Sequence, residues 1–366
     1  MVYRPGRVLS NRAAVIGMNR PTMEDVAERA RVSRALVSLV MNDSPQVSDE
    51  KRRSVLQAAR ELGYRPNLIA RILAQQRTHT IGVLVDDLRN PFFGEVVDGI
   101  EAEAADHGFR VLILNGHRDA RREAEAVETF LQLRVEGMAL VGARLDDSDT
   151  ARVGLAAPCV MVASGAVHTG VDTVGTDDRR GAELAVEHLA ALGHTRIVHL
   201  DGGTNVSAGE RRSGYESGMR SAGLGDLVDI RPAGDDEADA LEVIDELLAD
   251  DDPPTALFAF NDLLAAGALN RLADAGMAVP GDVSLVGFDN TFISALRHLS
   301  LTTVNQPTLA MGRLVVATLL QRLSDGPSEP IRHTLQPELV VRSTTGPPRG
   351  GANTVAGTAK TAMRRT

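Results

Sequence analysis

Seven short apolar runs, IGVLVDD, RVLILN, GMALVG, CVMVA, RIVHL, ALFAF and VSLVGF, recur between residues 81 and 288, separated by amphipathic stretches long enough to be helices. Runs this apolar suit strands covered on both faces, and strands joined through helices pair in parallel. The pattern predicts an α/β fold with enough chain for two Rossmann-like halves. In such folds ligands lie beyond the carboxyl ends of the strands, and those ends are polar here. Asp86 and Asp87 close the first run, NVSAGERRSGY follows RIVHLDGG, Asn261 and Asp262 follow ALFAF, and Asp289 and Asn290 follow VSLVGF. Carboxylates, amides and guanidinium groups hydrogen-bond polar small molecules in a cleft. Any one of them equally caps a helix or closes a turn, but their recurrence at corresponding strand ends points to a ligand site.

With 366 residues and 43% hydrophobic side chains, the chain exceeds one ordinary core and implies several domains. No window approaches the roughly 18 uninterrupted apolar residues of a membrane helix, and residues 1–20 lack the apolar block of a secretory signal. A cytoplasmic protein is expected. The single cysteine, Cys159 in APCVMVA, excludes an intrachain disulfide and a cysteine-built metal cage, and its apolar neighbours predict a buried strand position. Charge is uneven along the chain. Residues 1–80 hold 14 Lys+Arg against 7 Asp+Glu, a net of +7, which leaves −17 for the rest of a chain whose total is −10. A basic head on an acidic body suits a head that meets a polyanion, because nucleic-acid affinity depends on local phosphate neutralisation. A solvated charged face would give the same count.

The head reads as three helices. Thr22 with Asp25 has the form of a capping box, and Met23, Val26, Ala27 and Ala30 follow at helical spacing. Ser33 caps a second helix, in which Leu36, Val37, Val40 and Met41 face inward while Arg34, Ala35, Ser38 and Leu39 fall largely on the other face. Arg31 and Val32 between them leave a turn too short for an antiparallel hairpin, so the helices cross steeply, as in a helix-turn-helix. The hydroxyl of Ser48 is expected to cap a third helix, with Val55, Leu56, Ala59 and Leu62 inward and Gly63 as the stop.

The stretch TMEDVAERARVSRALVSLVMNDSPQVSDEKRRSVLQAARELGYRPNLIARILAQQRTHTIGVLV resembles the N-terminal region of the LacI/GalR family of transcriptional regulators. The family pattern runs T-x-x-D-V-A-x-x-A-x-V-S-x-x-T-V-S-x-V-x-N, then V, and then LGY-x-PN, and the resemblance continues through most of residues 22–345. It implies an N-terminal three-helix helix-turn-helix domain and a hinge helix. A two-subdomain, periplasmic-binding-protein-like core with Rossmann-like parallel sheets would follow. It also implies DNA contacts from Thr22, Ser33, Arg34, Ala35, Ser38, Leu39 and Asn42, with the second helix in the major groove. Arg34 alone among the outward residues of that helix can contact guanine bidentately. The hinge YRPNLIARILA would add Asn67 as a cap, Ala70, and Leu73 as a wedge between base steps in the minor groove. A linker with Leu73 packed on the body describes a DNA-free state equally well. Leu36 stands where the family usually has Thr, and Leu39 where many members have Arg. The operator sequence therefore stays open.

For the body, the resemblance implies effector contacts from Arg211, Asn261 and Asp289, with Asp87, Phe92 and Phe93 as further candidates. Phe92 and Phe93 could equally be helix-start packing, and Arg211 could instead join an ion pair between subdomains. Asp262 reads as a structural cap and Asp177 as a turn residue. Ala163 stands where some sugar-binding members have Asp, and the chain has no Trp, so a sugar effector rests on the resemblance and a nucleoside stays open.

The expected boundaries are an extension over 1–20, the helix-turn-helix domain over 21–65 and the hinge over 66–77. The core follows as an N-subdomain over 78–175 with 306–326, a C-subdomain over 176–305 with 327–343, and a disordered tail over 344–366. Residues 1–17 precede a second candidate start at Met18. No GxGxxG opens a helix after the first strand, and HExxH is absent. With Lys51 and Lys360 the only lysines, no Walker A lysine is possible either. The histidines are scattered as at helix ends and surfaces, so neither metal nor cofactor is expected. The reading is a homodimeric, cytoplasmic, nucleoid-associated repressor of a pseudopalindromic operator, controlled by a polar effector that is most simply a sugar. The competing class is a sugar- or nucleoside-binding protein, or a sugar-acting enzyme, whose N-terminal bundle is structural.

Overall fold

The computed structural model describes residues 21–42, 44–65, 77–163, 170–326 and 328–349. The extension over 1–20, the hinge residues Asn67, Ala70 and Leu73, and the tail from residue 350 lie outside them. The chain divides after Arg77 into a small helical unit and a large α/β unit.

The helical unit consists of α1 (Met23–Ala30), α2 (Arg34–Met41) and α3 (Asp49–Leu62). The capping box forms: Asp25 N donates to Thr22 Oγ1 at 3.3 Å, and Thr22 N donates to the Asp25 carboxylate at 2.7 Å. Arg31, at φ 57°, turns the chain out of α1, and Ser33 Oγ accepts from Leu36 N at 3.2 Å to start α2. Val26, Val37, Val40 and Val55 close the shared core. Two details differ from expectation. Ser48 occupies the N-cap position of α3, but its hydroxyl makes no capping bond. Leu56 faces solvent and Ala58 takes the inward place, because the buried stripe follows Val55, Ala58, Ala59 and Leu62, and Leu56 lies about 100° off it.

In the large unit the first lobe begins with β1 (Thr80–Val85), α4 (Pro91–Asp106), β2 (Arg110–Asn115), α5 (Ala120–Gln132), β3 (Gly137–Val141), α6 (Asp147–Ala156), β4 (Cys159–Val162) and β5 (Asp172–Thr176). The second lobe continues with α7 (Asp178–Ala191), β6 (Ile197–Asp201), α8 (Ala208–Ser221), β7 (Asp229–Pro232), α9 (Ala240–Ala249), β8 (Ala256–Ala259), α10 (Asp262–Asp274), β9 (Ser284–Asp289) and β10 (Thr302–Asn305). The chain then returns through α11 (Thr308–Asp325), β11 (Arg332–Leu335) and β12 (Glu338–Val340).

Among the described residues the strands form two six-stranded sheets, β11-β5-β4-β3-β1-β2 and β12-β10-β9-β8-β6-β7. The first is wholly parallel, and in the second only β12 runs antiparallel. Each sheet is covered on both faces, by Phe92, Ile100 and Val315 opposite Phe130 and Leu145 in the first lobe, and by Leu264 and Val243 opposite Tyr215 and Leu189 in the second. That double burial is why the sequence shows continuous apolar runs.

Two expected boundaries are corrected. Residues 327–343 do not all belong to the second lobe: β11 extends the first sheet at β5, where Asp172 accepts from Ile331 N at 2.7 Å and from Arg322 Nη2 at 2.6 Å. Only β12 joins the second sheet. The tail does not leave the fold at residue 344. Thr344 Oγ1 donates to Leu285 O at 2.7 Å, and Gly346 O lies 2.8 Å from His194 Nε2, so the packed chain runs on to Arg349.

The returning helix α11 lies against α4 at a close crossing of Gly312 on the Val96–Ile100 turn, where a Cβ would collide with the carbonyl oxygen of Val96. Gly312→Ala should therefore push the two helices apart and destabilise the large unit by about 1–3 kcal/mol, the usual cost of overpacking. Urea unfolding checks this; an unchanged midpoint would show that the crossing yields freely.

Candidate functional site

Two surfaces hold the residues singled out from sequence. On the helical unit, Arg34, Ala35 and Leu39 are exposed and Ser38 is half-buried, so α2 presents one side to solvent while Val37 and Val40 anchor the other. Arg34 Nε pairs with Glu24 at 2.9 Å, both side chains more than half exposed. A pair that wet is worth little and exchanges readily for another acceptor. Thr22 and Ser33 are spent on caps, and Asn42 closes α2 with its backbone N–H on Ser38 O at 3.1 Å.

The second surface is the cleft between the lobes of the large unit. Asn90, Phe92, Phe93, Gly142 and Ala163 from the first lobe face Asn205, Ser207, Arg211, Phe260, Asn261 and Asp289 from the second. All follow the carboxyl ends of strands, where parallel sheets expose their loops. The walls converge on a cavity of about 20 Å³, on the scale of one water. A sugar-sized molecule enters only if the walls part or side chains move.

Arg211, in the first half of α8, forms the floor. Its Nε donates to Asp178 at 2.8 Å, its Nη1 to Phe260 O at 2.5 Å, and its Nη2 lies 3.7 Å from Asp289. The guanidinium carbon lies over the Phe288 ring, 3.7 Å from its centroid, and over the Phe260 ring at 4.5 Å. A cation so enclosed is fixed in orientation. The ion pair joins residues of one lobe, so Arg211 does not make the alternative bridge between subdomains. Burial pushes the Asp178 carboxyl above its ordinary range against the pull of Arg211, and burial holds Asp289 well above it. Asp289 also takes Gln306 Nε2 at 2.7 Å and sits at φ 118°, a left-handed strain that a non-glycine residue holds only when its surroundings fix it. Asn261 caps α10 by accepting Leu264 N at 2.8 Å and donates Nδ2 to Asp235 O at 2.9 Å.

Around the cleft mouth the lobes are joined by ion pairs. Arg144, just after β3, forks onto Asp86 at 3.1 and 3.4 Å and reaches Asp235 of the second lobe at 3.4 Å. Arg118, just after β2, lies 3.2 Å from Asp87 and 2.8 Å from Asp235. Arg89 pairs with Asp87 at 2.9 Å and with Asp236 at 3.6 Å. Burial raises the Asp87 carboxyl, but the bonds from Arg89 outweigh it and leave the group below its ordinary value. Behind Arg144 sits Glu123, wholly buried, accepting Arg144 N at 2.8 Å. Burial pushes Glu123 up to about 7.

The remaining buried polar groups are structural. Asp262 accepts from Thr291 N and Oγ1 and from Thr303 Oγ1 at 2.8, 3.0 and 2.6 Å, so it is structural but not the expected cap, which Asn261 supplies; its carboxylate ties β10 and the segment after β9 to the start of α10, and burial raises it to about 7. Asp177 caps α7 by accepting Arg180 N at 2.9 Å. Cys159 is buried, its thiol pushed up to about 12, which leaves it inert. Two histidines correct the surface expectation. His194 and His199 are buried, the first among Thr255, Ser284 and Gly346, the second stacked 4.7 Å from Phe258 with burial lowering it to about 4.

The candidates Phe92, Phe93, Arg211, Asn261 and Asp289 thus meet in one place, whereas Asp87 does not line the cavity and is buried against Arg89 and Arg118. Both phenylalanines line the cavity and also pack in the first lobe's core, so the two readings of them coincide. Sequence reasoning missed Asp178, Asn205, Gln306, Asp235 and the arginines 118 and 144. The last two stand three residues after RVLILN and two after GMALVG, and the rule that polar residues at strand ends face the ligand would have found them.

The comparisons with known proteins agree with this geometry. Residues 22–67 match the model for bacterial regulatory proteins of the lacI family, and residues 186–345 match a periplasmic binding protein-like domain. The HTH-type transcriptional regulator GalR of Escherichia coli (strain K12) is 35% identical over 331 residues, 89% of this chain and 96% of that protein. The crystal structure of the Lac repressor dimer bound to operator and the anti-inducer ONPF superposes with a TM-score of 0.79 at 29% identity, covering 89% of this chain and 99% of that one. A LacI family transcriptional regulator from Enterococcus faecium with bound ribose gives 0.66 at 29% identity, over 73% of this chain and 99% of that one. A helical head of this form and a two-lobed, cleft-bearing core define a ligand-responsive bacterial transcriptional regulator. The chain belongs to the LacI family of bacterial regulatory proteins.

Glu123 gives the large unit a pH signature. Its folded value of about 7 lies above the ordinary 4.5, so between these pH values the folded chain holds a proton that the unfolded chain has released. Stability is then full below about 4.5 and falls as pH rises to 7, by about 3 kcal/mol at the usual 1.36 kcal/mol per pH unit. Glu123→Gln should remove that fall in urea titrations from pH 4.5 to 7.5; identical slopes in both proteins would contradict it.

Proposed function

We propose that this chain is a homodimeric, sequence-specific repressor whose operator affinity is set by a small polar effector, a sugar, held between the lobes of the core. The observation that carries the reading is the convergence of Arg211, Asn261 and Asp289 from separate elements on one cleft wall, opposite Phe92 and Asn90 of the other lobe. Fixed donors and acceptors facing an aromatic wall are what hydroxyl-rich ligands need. The exposed side of α2 supplies the DNA-reading residues Arg34, Ala35, Ser38 and Leu39, and Thr22, Ser33 and Asn42 position the helix ends against phosphate. Asn67, Ala70 and Leu73 are assigned to the minor groove by the hinge motif alone. Two-fold symmetry of the dimer is matched by a pseudopalindromic operator. The protein acts on cytoplasmic, nucleoid DNA and catalyses no reaction. A core without a DNA function would leave the exposed residues of α2 without a role, and deletion of residues 1–77 separates the two classes. A regulator loses DNA and keeps its ligand, whereas an enzyme shows turnover.

In this mechanism the effector changes the angle between the lobes and so the spacing of the two heads in the dimer, a linkage between sites rather than a contact. Arg34→Ala should flatten discrimination between a selected operator and random DNA by about 1–3 kcal/mol, read by anisotropy at fixed salt. An equal loss on both DNAs would make Arg34 a phosphate contact. Arg211→Ala should abolish the thermal shift that a bound sugar produces, roughly 2.7 kcal/mol of stabilisation at 100 times its dissociation constant. A shift that survives the substitution would move the effector out of the cleft.

A further inference from the structure

Three donors converge on the side chain of Asp235. Arg118 Nη1 lies 2.8 Å from Oδ1, Arg144 Nη2 lies 3.4 Å from Oδ2, and Asn205 Nδ2 donates to Oδ2 at 2.9 Å. The arrangement is built from behind. Asp86 and Asp87, both almost wholly buried just after β1, back the two arginines: Asp86 accepts from Arg144 Nε and shares its Nη2, and Asp87 lies 3.2 Å from Arg118 Nε, so Arg144 Nη2 and Arg118 Nη1 are the atoms that reach the second lobe. Asn205 also lines the cleft cavity, and Asn261, another lining residue, donates to the backbone oxygen of Asp235. The convergence point therefore adjoins the effector cavity.

The charges decide what such a point accepts. The first lobe contributes Arg89, Arg118 and Arg144 against Asp86 and Asp87, a surplus of one positive charge at the mouth. Glu123 behind Arg144, with its value near 7, offsets part of that surplus at neutral pH. The second lobe adds two negative charges, Asp235 and Asp236, one more than that surplus, and Asp236 sits on Arg89 at 3.6 Å and at 3.8 Å from Arg118, so an anion that replaces Asp235 leaves the charge of the cluster as it is. Rotation of the Asp235 side chain would take an acceptor from Arg118 Nη1, Arg144 Nη2 and Asn205 Nδ2 at once, leaving Asp86 on Arg144 at 3.4 Å and Asp236 at 3.8 Å from Arg118. Paired arginines of this kind bind carboxylate and phosphate oxygens far better than hydroxyls.

We propose that Arg118, Arg144 and Asn205 form an oxyanion-recognising corner of the effector cleft, occupied in this conformation by the chain's own Asp235 carboxylate. The effector is then a polyhydroxy compound bearing an acidic group, a sugar acid or a sugar phosphate, whose acid displaces Asp235 while its hydroxyls meet Arg211, Asn261 and Asp289. This rests on the cleft being the effector site, and it goes further by naming the chemistry that selects among sugars. It also makes Asp235 an internal competitor: it ties the lobes together until an anion takes its place.

The corner can be tested without knowing the effector. In full-length Asp235→Ala, inorganic phosphate at constant ionic strength should give a saturable thermal shift that the unsubstituted protein lacks. Adding Arg118→Gln and Arg144→Gln should weaken that binding about tenfold or more, as the loss of charge-assisted bonds requires. Circular dichroism confirms that each variant is folded. No phosphate-dependent shift in folded Asp235→Ala, or one indifferent to the arginines, would overturn the proposal. The broader effector reading would stand in that case, because it is judged by Arg211→Ala and operator binding. In the unsubstituted protein, glucuronate or glucose 6-phosphate should bind more tightly than glucose, and the Arg118→Gln/Arg144→Gln variant should lose the difference. Preference for the first identifies a sugar acid and for the second a phosphate ester. Glucose binding as well as both would overturn the acidic class.

Discussion

A buried guanidinium between carboxylates is the constraint on which the working part of this molecule depends. Arg211 is almost fully enclosed, fixed by Asp178, Phe260 O and two aromatic faces, with Asp289 beside it. Removing a partner from such a group leaves an uncompensated buried charge, so the cluster holds only as a unit. Its geometry sets where α8, the end of β8 and the end of β9 stand relative to one another. The left-handed backbone of Asp289 is the local strain that this arrangement retains. A site made this way presents its polar edge in one orientation, which is what selectivity among closely related polyols demands.

The lobes are connected differently. Where the floor is buried, the ties across the mouth are partly exposed ion pairs between Arg118, Arg144, Arg89 and the Asp235–Asp236 corner. Such pairs are individually weak and screened by salt. A rigid floor beneath weak ties lets the lobes move as bodies about the three crossovers at β5, β10 and β11 without disturbing the cores. Coupling of a small ligand to the head requires two such lobe arrangements, because packed lobes rotate rather than deform. The coupling needs only that the ligand bind one lobe arrangement better than the other.

Much of this was legible in the chain. The doubly covered sheets followed from uninterrupted apolar runs, and the polar residues that close them marked where a ligand site lies, while the choice of Arg211, Asn261 and Asp289 within it came from the family resemblance. Thr22, Asp25 and Ser33 announced their helices through local bonds that need no tertiary context. What sequence could not supply was pairing across long separations. The edge strand Arg332–Leu335 reads as a short polar segment, and nothing local says that it joins Asp172–Thr176 rather than the sheet next to it in sequence. Thr344 and Gly346 look like the start of a loose tail because their bonds go to Leu285 and His194, far away in the chain. Asp178 was hidden as an ordinary first-turn acid of a helix, and only burial beside Arg211 makes it part of the site. Leu56 was misplaced through a helical phase error of one residue.

The central claim is that the cleft and the DNA-reading head are thermodynamically linked, and linkage is reciprocal. The most direct measurement is calorimetric titration of a cleft ligand into the full-length protein, alone and saturated with an operator selected from random DNA. The account predicts that operator changes the ligand's affinity by the same factor by which the ligand changes operator affinity, and that non-operator DNA of equal length has no such effect. Equal ligand affinity with and without operator would mean that the two sites share a chain without communicating, and would contradict the account.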